Sequence, residues 1–501
     1  MDLDFEANPM RIVRAGASLR FRNDLSGYYG AGDSLTFRNL WGEIVLFRFL
    51  TLRLGMVYEN YTPLTLSAPV ELLPLSNPTL SAYRDNMLYD AYLDRKDRFP
   101  FEGVTMNADF SGDGHSLNLR AIAAKLDEAG NAGNSFDRYL FGGHAAYGWN
   151  KFLETKATWV SLRDLRDTGT PVFNTPVAQD VCSLVFKYDL LKQIGKKDSG
   201  GIEAEFARSF FKTDASLTNT PAVSAGAVRV NAFVTLMRSL LIRVGWQAVP
   251  YEFVAPAAQT RIAFPGGTAQ IFSSAGLDGF LFDYELNNRV KLGRNNRDLL
   301  NASRAMNEAT PNRTGLAGQA VLNIRKAVKL SLDASRLSEM RPVSASNGNL
   351  RSYRRISGQF SLPTDEWTGR SFFPVIGGFL MMEDIDRKDD PDSSGSERED
   401  CRIRAAGVNA EIRVTVKFSL TGLYQWYGIT GRRIFDDYSS GDALKIAGYT
   451  PVSFGLTQTL KGGGAVWSFS RNIRIQGDYL VRAEEGRVSV SETRVLFTMM
   501  F

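Results

Sequence analysis

Cysteine and histidine are nearly missing from this chain: two of each in 501 residues, Cys182, Cys401, His115 and His144. Two thiols cannot build a disulfide scaffold or a cysteine-based metal framework, and two imidazoles exclude a His-rich metal site. An excess of one charge is missing too. With 59 Lys plus Arg against 54 Asp plus Glu the net charge is +5, no basic block stands out, and nucleic acid is not expected as a partner. Long apolar runs are absent. The best, Ser371 to Met382, has 12 residues including a proline and two glycines, whereas a membrane-spanning helix needs about 18 to 20. The N-terminus, Met-Asp-Leu-Asp-Phe-Glu, is acidic where a signal peptide is basic and then apolar.

What is present has period two. Val228, Val230, Ala232, Val234 and Leu236 alternate with Arg229, Asn231, Phe233 and Thr235, and after a short break Ile242, Val244, Trp246 and Ala248 alternate with Arg243, Gly245 and Gln247. Two such runs this close read as an antiparallel hairpin with one greasy face. The same grammar returns around Leu50 to Tyr58, Leu316 to Ala334, Val408 to Trp426 and Trp467 to Val481. Between the hairpins lie stretches rich in Gly, Asp, Asn, Ser and Pro, such as Asn60 to Glu102, Arg163 to Asp180, Arg294 to Arg313 and Glu383 to Asp400. Short turns and long loops therefore alternate. That is the layout of a transmembrane barrel, with short periplasmic turns and long extracellular loops. Aromatics near strand ends, read as part of the greasy faces, suit an interfacial girdle: Trp41, Tyr58, Trp149, Trp159, Trp246, Tyr424, Trp426, Trp467 and Tyr479.

The last strand carries Val495, Phe497, Met499 and a terminal Phe501 on alternate positions. This resembles the C-terminal β-signal of bacterial outer-membrane proteins, although the glycine often found upstream is missing. The resemblance implies the bacterial outer membrane as location, and outer-membrane lipid and the barrel-assembly machinery as partners. Taking Phe501 as a periplasmic end fixes the direction of every strand. The reading is then a short N-terminal segment over 1–11 and one all-β antiparallel barrel over 12–501, of about 22 strands with even numbers from about 16 to 24 compatible. Its least marked strand is 268–276, followed by 281–293.

Barrels this wide enclose either a water channel or a plug. The plug domain that precedes the barrel of TonB-dependent transporters has no counterpart in Met1 to Arg11, so any constriction is expected from folded-in loops, chiefly Asn60 to Glu102. The faces opposite the greasy ones supply the lumen lining. Bases there include Arg53, Arg229, Arg243, Arg325, Lys329, Arg413, Lys417 and Arg474, and acids include Glu59, Glu203, Glu205, Asp333, Glu411 and Asp478. Bases outnumber acids, which biases a pore toward anions unless the charges pair along the wall. No nucleophile motif or phosphate loop is present, and no enzyme activity or cofactor is expected. In the acidic loop Glu383 to Asp400, the residues Asp390, Asp392 and Ser394 match the start of a calcium loop, but Cys401 stands where a bidentate Glu belongs. Two functions fit. One is a channel for passive passage of small polar or anionic solutes. The other is a non-conducting barrel serving as a receptor or as a subunit of an envelope secretion or assembly complex.

Overall fold

An extended chain that alternates apolar and polar residues has one face to hide and one to wet, and it must also pair every backbone N–H and C=O. The computed structural model shows how this chain meets both demands. It describes residues 2–22, 34–67, 99–127, 136–166, 177–213, 223–258 without 238 and 256, 309, 312–324, 328–342, 348–363, 374–388, 398–437, 448–470, 473–484 and 489–499.

The first strands are β1 (Asp2–Met10), β2 (Val13–Arg22), β3 (Ser34–Phe47), β4 (Leu50–Glu59), β5 (Phe99–Gly112), β6 (His115–Asp127) and β7 (Phe136–Trp149). They are followed by β8 (Leu153–Arg166), β9 (Val177–Asp189), a single helical turn α1 (Leu190–Gln193), β10 (Ser199–Thr213), β11 (Val223–Leu236), β12 (Leu240–Val249), β13 (Arg313–Ile324) and β14 (Val328–Ser338). The series closes with β15 (Ser352–Pro363), β16 (Val375–Arg387), β17 (Glu399–Arg413), β18 (Phe418–Asp437), β19 (Gly448–Ser468), β20 (Ile473–Glu484) and β21 (Val490–Met499). All belong to one 21-stranded sheet. Each strand pairs antiparallel with its neighbour in sequence, from β1 on β2 to β20 on β21.

Connections sort by length as expected. At one end β5 turns into β6 through Asp113 (φ 44°) and Gly114 (φ 82°), a two-residue turn with both residues left-handed, which matches the twist of the flanking strands. Asn150 (φ 46°) and Lys151 (φ 63°) are likewise left-handed in the three-residue turn between β7 and β8. The longest connections, 60–98 and 250–312, leave from the opposite end. Two turn-end connections are longer than expected: 190–198, which holds α1, and 364–374.

Three differences from the sequence reading stand out. Residues 2–10 form β1, paired from Asp2 opposite Arg20 to Met10 opposite Val13, where a segment before the first strand was expected. Strands 268–276 and 281–293 lie outside the described residues, so the 21 strands described compare with about 22 expected. Trp41 faces inward. It sits opposite Gly55, on the same face of the hairpin as Arg53, and not on the greasy one.

Elsewhere the two faces are as the alternation dictates. Ile202, Phe206, Val244, Leu332, Ile356 and Leu420 point outward and are exposed, a continuous apolar surface that only lipid covers favourably. Along β9 the outward positions run Tyr188, Phe186, Leu184, Cys182 and then Asp180. From Tyr188 to Asp180 is about 27 Å of strand, or about 20 Å of height at a tilt of about 40°, which covers most of the roughly 25 Å apolar band of an outer-membrane barrel. Trp159 Nε1 donates to Asp180 Oδ1 at 3.2 Å at the upper edge, while Tyr147 and Trp149 mark the turn end. No helix among the described residues is long and apolar enough to cross a membrane. The sheet is of the outer-membrane barrel kind, crossing with strands.

Candidate functional site: the inner wall and the segments folded onto it

Residues 60–67, the start of the connection after β4, fold back onto the inward face of β9 and β10. A tight turn begins the segment, with Tyr61 N–H donating to Leu66 O (2.8 Å) and Thr65 N–H to Thr62 O (3.1 Å). Thr62 Oγ1 reaches Ser183 Oγ at 3.2 Å, and the backbone N–H of Leu64 donates to Glu205 Oε1 at 3.3 Å. Leu64 packs into a buried cluster with Val181, Ala207, Ala227, Val249 and Phe253. Alanines at 207 and 227 leave the wall shallow where the leucine lands. A second segment, 250–258, lies beside the first. Gln179 Nε2 donates to Val254 O (2.6 Å), Val254 N–H donates to Ser209 Oγ (3.2 Å), and Ser67 N–H donates to Ala257 O (3.0 Å), which ties the two loops together. The expectation that Asn60 to Glu102 supplies folded-in material holds for its first eight residues; 68–98 lie outside the described residues.

Tyr61 extends the contact around the wall. Its ring stacks on His144 at 5.2 Å with 10° between planes, and His144 Nδ1 lies 2.9 Å from Thr158 Oγ1. Gly142 makes the stack possible, because a Cβ there would stand 2.9 Å from Tyr61 Cε2 and 2.8 Å from Ile122 Cγ2. Burial, reinforced by the Glu59 carboxylate, pushes the Tyr61 phenol above its ordinary range, so it stays neutral. His144 is thus a packing and hydrogen-bonding residue of the wall.

Several charges of the wall pair. Arg229 stands 3.2 Å from Glu203 and 3.9 Å from Glu205, so Glu205 holds both a base and the folded-in segment. Arg120 lies 3.9 Å from Glu59. Further along the sheet, at the loop end, Glu399 accepts from Arg351 Nε and stands 3.3 Å from Arg387 Nε, while Glu339 takes Arg351 Nη1 at 3.2 Å and Arg313 at 3.9 Å. The Arg313 guanidinium sits 4.0 Å over the Tyr353 ring. Tyr353 belongs to an inward apolar cluster with Met381, Ile385, Ile403 and Ile429, all without solvent exposure. Ions this buried endure only because each meets an opposite charge.

The other predicted lumen residues are placed as follows. Arg53 stacks on Trp41 at 4.4 Å, and its Nε donates to Met56 O at 3.1 Å; Gly16 opposite leaves room for the indole. Asp333 accepts from Gln319 (2.9 Å) and Ser331 (3.2 Å), and Asp478 from Gln476 (3.0 Å). Arg243 lies between Phe233 and Gln319 across the strands, Lys329 between Asn323 and Ser361, and Glu411 between Val375 and Thr421. Arg413 ends β17, and Lys417 lies in the turn after it instead of on a strand. The backbone of Arg474 sits between Ser468 and Thr498. These basic residues share the turn end, and among the described residues no contact joins Arg243, Lys329 or Lys417 to the folded-in segments. Arg325, the calcium candidate Asp390, Asp392 and Ser394, and Phe501 fall outside the described residues, while Val495 is exposed and Phe497 and Met499 pair opposite Ile475 and Ile473. Among the described residues no group of three or more His, Cys, Asp or Glu is arranged to hold a metal.

Sequence reasoning missed Trp41 as a lumen residue and the cluster of Arg351, Glu339, Glu399 and Arg387. Arg387 and Glu399 fall in the stretch Glu383 to Asp400, which was read as a loop. The available signal was the inward phase of Glu383, Ile385 and Arg387, which continues that of Phe379 and Met381.

No protein-family profile and no curated protein matches the chain. Among solved structures, it is similar to the siderophore receptor PirA from Pseudomonas aeruginosa, at 11% identity and a TM-score of 0.42 over 98% of this chain and 81% of that one. It is similar to the P pilus usher PapC translocation pore at 8% identity and a TM-score of 0.39, over 100% and 95%. It is also similar to a loop-deletion form of OmpT, an outer membrane protein of Vibrio cholerae, at 10% identity and a TM-score of 0.31, over 77% and 99%.

Proposed function

We propose that the chain is an outer-membrane channel for small polar or anionic solutes, with a lumen narrowed by its own loops. The observation that carries this reading is the seating of 60–67 and 250–258 on the inner wall through wall side chains, Gln179, Ser183, Glu205 and Ser209. A wall that anchors its own loops by polar contacts sets a bore without needing a separate plug. The anionic preference rests on the turn end. There Arg243, Lys329 and Lys417 have no ion-pair partner among the described residues, whereas Arg229 in mid-strand and the loop-end bases Arg313, Arg351 and Arg387 are matched by glutamates. Val495, Phe497, Met499 and Phe501 are proposed to be read by the barrel-assembly machinery.

The inward apolar cluster around Tyr353 favours a second reading, in which the lumen is closed and the barrel works as a receptor or as a subunit of an envelope secretion or assembly complex. Conductance of the purified protein in a planar bilayer decides between them. Discrete steps with anion preference support the channel, and a silent bilayer containing correctly folded protein supports the receptor or subunit.

A further inference from the structure

On the outer surface, the apolar face of β14 to β17 ends in a row of arginines. Following the register across the sheet, Arg336 lies directly opposite Arg354, Arg354 opposite Asp384, and Asp384 opposite Arg402. All four residues are on the outward phase, and one step toward the turn end the same phase carries Ala334, Ile356, Met382 and Arg404. Arg404 occupies Asp384, at 2.6 Å. That leaves Arg336, Arg354 and Arg402 exposed and without an ion-pair or hydrogen-bond partner among the described residues. Two like charges directly opposite on adjacent strands destabilise a sheet unless an anion lies between them. The span from Arg336 to Arg402 is three strand spacings, about 14 Å.

The level of the row names the partner. Exposed apolar side chains, Ile356 and Leu332 among them, lie immediately below it, and the strands continue above it to Arg387 and Glu399. An anion held there sits where lipid headgroups meet water at the loop end, with acyl chains able to lie along the apolar face. Arginine forks match phosphate oxygens two at a time. We propose that this row is a binding site for the phosphate groups of an anionic lipid of the outer leaflet, with Arg336 and Arg354 taking one phosphate and Arg402 a second. The site is on the outside of the wall, so it is independent of whether the lumen conducts.

The test uses the purified full chain in detergent, titrated with a bis-phosphorylated glycolipid, the same lipid without its phosphates, and inorganic phosphate, with binding read by native mass spectrometry. The phosphorylated lipid is expected to bind, the dephosphorylated one at least tenfold more weakly. The Arg336→Gln, Arg354→Gln, Arg402→Gln variant is expected to lose at least tenfold in affinity, while Arg208→Gln, an outward arginine on β10 beside Ser224, keeps parental binding. Heat-modifiable gel mobility confirms folding; should the triple variant misfold, Arg354→Gln alone is expected to lose at least threefold. Equal binding of both lipids, or unchanged affinity in the arginine variants, overturns the site. Inorganic phosphate that displaces the lipid at equal concentration overturns the lipid as ligand.

Discussion

Glu205 and Leu64 are 141 positions apart in sequence, yet the carboxylate of one accepts the backbone N–H of the other at 3.3 Å inside the barrel. The same carboxylate, almost without solvent exposure, lies 3.9 Å from Arg229. A wall charge and a loop position are therefore one device. Glu205→Ala is expected to release 60–67, seen as new protease cleavage there and as larger or more frequent conductance steps. Glu203→Ala removes a contact to Arg229 alone and should leave cleavage at the parental level. Equal cleavage in the two variants would mean that pairing with Arg229, not the hydrogen bond to Leu64, seats the segment.

Gly142→Ala puts a methyl group against both Tyr61 and Ile122, an overpacking expected to destabilise by about 1 to 3 kcal/mol. Gly143, one residue on, faces outward with open space, and Gly143→Ala should be mild. In a Tyr61→Ala background the cost of Gly142→Ala should shrink, which a double-mutant cycle on unfolding in urea measures. An undiminished cost assigns the clash to Ile122 alone.

Leu420→Arg places a charge on the lipid face one outward step above Phe418 and Trp467 at the turn end and is expected to destabilise the barrel, whereas Ser419→Arg, pointing into the barrel, should be mild. Asn231 is a poor choice for the inward control. It is nearly buried against Gly245, where a Cβ would meet its Oδ1 at 1.9 Å. Equal losses at 419 and 420 would contradict the assignment of the two faces.

Selectivity should respond to the turn end. Charges along low-dielectric walls are screened less than charges on an open surface. The variant Lys329→Glu, Lys417→Glu, Arg474→Glu is expected to shift the reversal potential in a salt gradient toward cations with little change in heat-modifiable mobility. A conducting variant whose reversal potential stays put would locate the filter elsewhere.

Much of the wall was readable because period two is a local property. On β11 the outward Val228, Val230 and Ala232 and the inward Arg229 and Asn231 take the faces their alternation requires. Reading failed where chemistry and phase disagree. Trp41 looks like an interfacial aromatic, but its phase follows Glu43 and Arg53, and only the pairing with Gly55 fixes it. Asp2, Asp4 and Glu6 fall in the stretch read as a short segment before the first strand, although they alternate with Leu3, Phe5 and Ala7 in β1. At the loop end, Asp384 and Arg402 make the outward phase as polar as the inward one, so strands β16 and β17 appear to stop before Arg387 and Glu399. The seating of 60–67 lies beyond any local pattern, since its partners come from β7, β9, β10, β11 and β12 and from the segment 250–258.

Because each described strand pairs with its sequence neighbours, much of the wall can assemble as a succession of hairpins, many of them closed by a turn of a few residues. The bonds from Leu64 to Glu205 and from Gln179 to Val254 have no such shortcut. Their partners meet only after β9 and β10 stand side by side, so loop-closure entropy delays them. Refolding into lipid should thus show two clocks. Strand signals in far-UV circular dichroism come first, and protection of 60–67 from protease lags behind them.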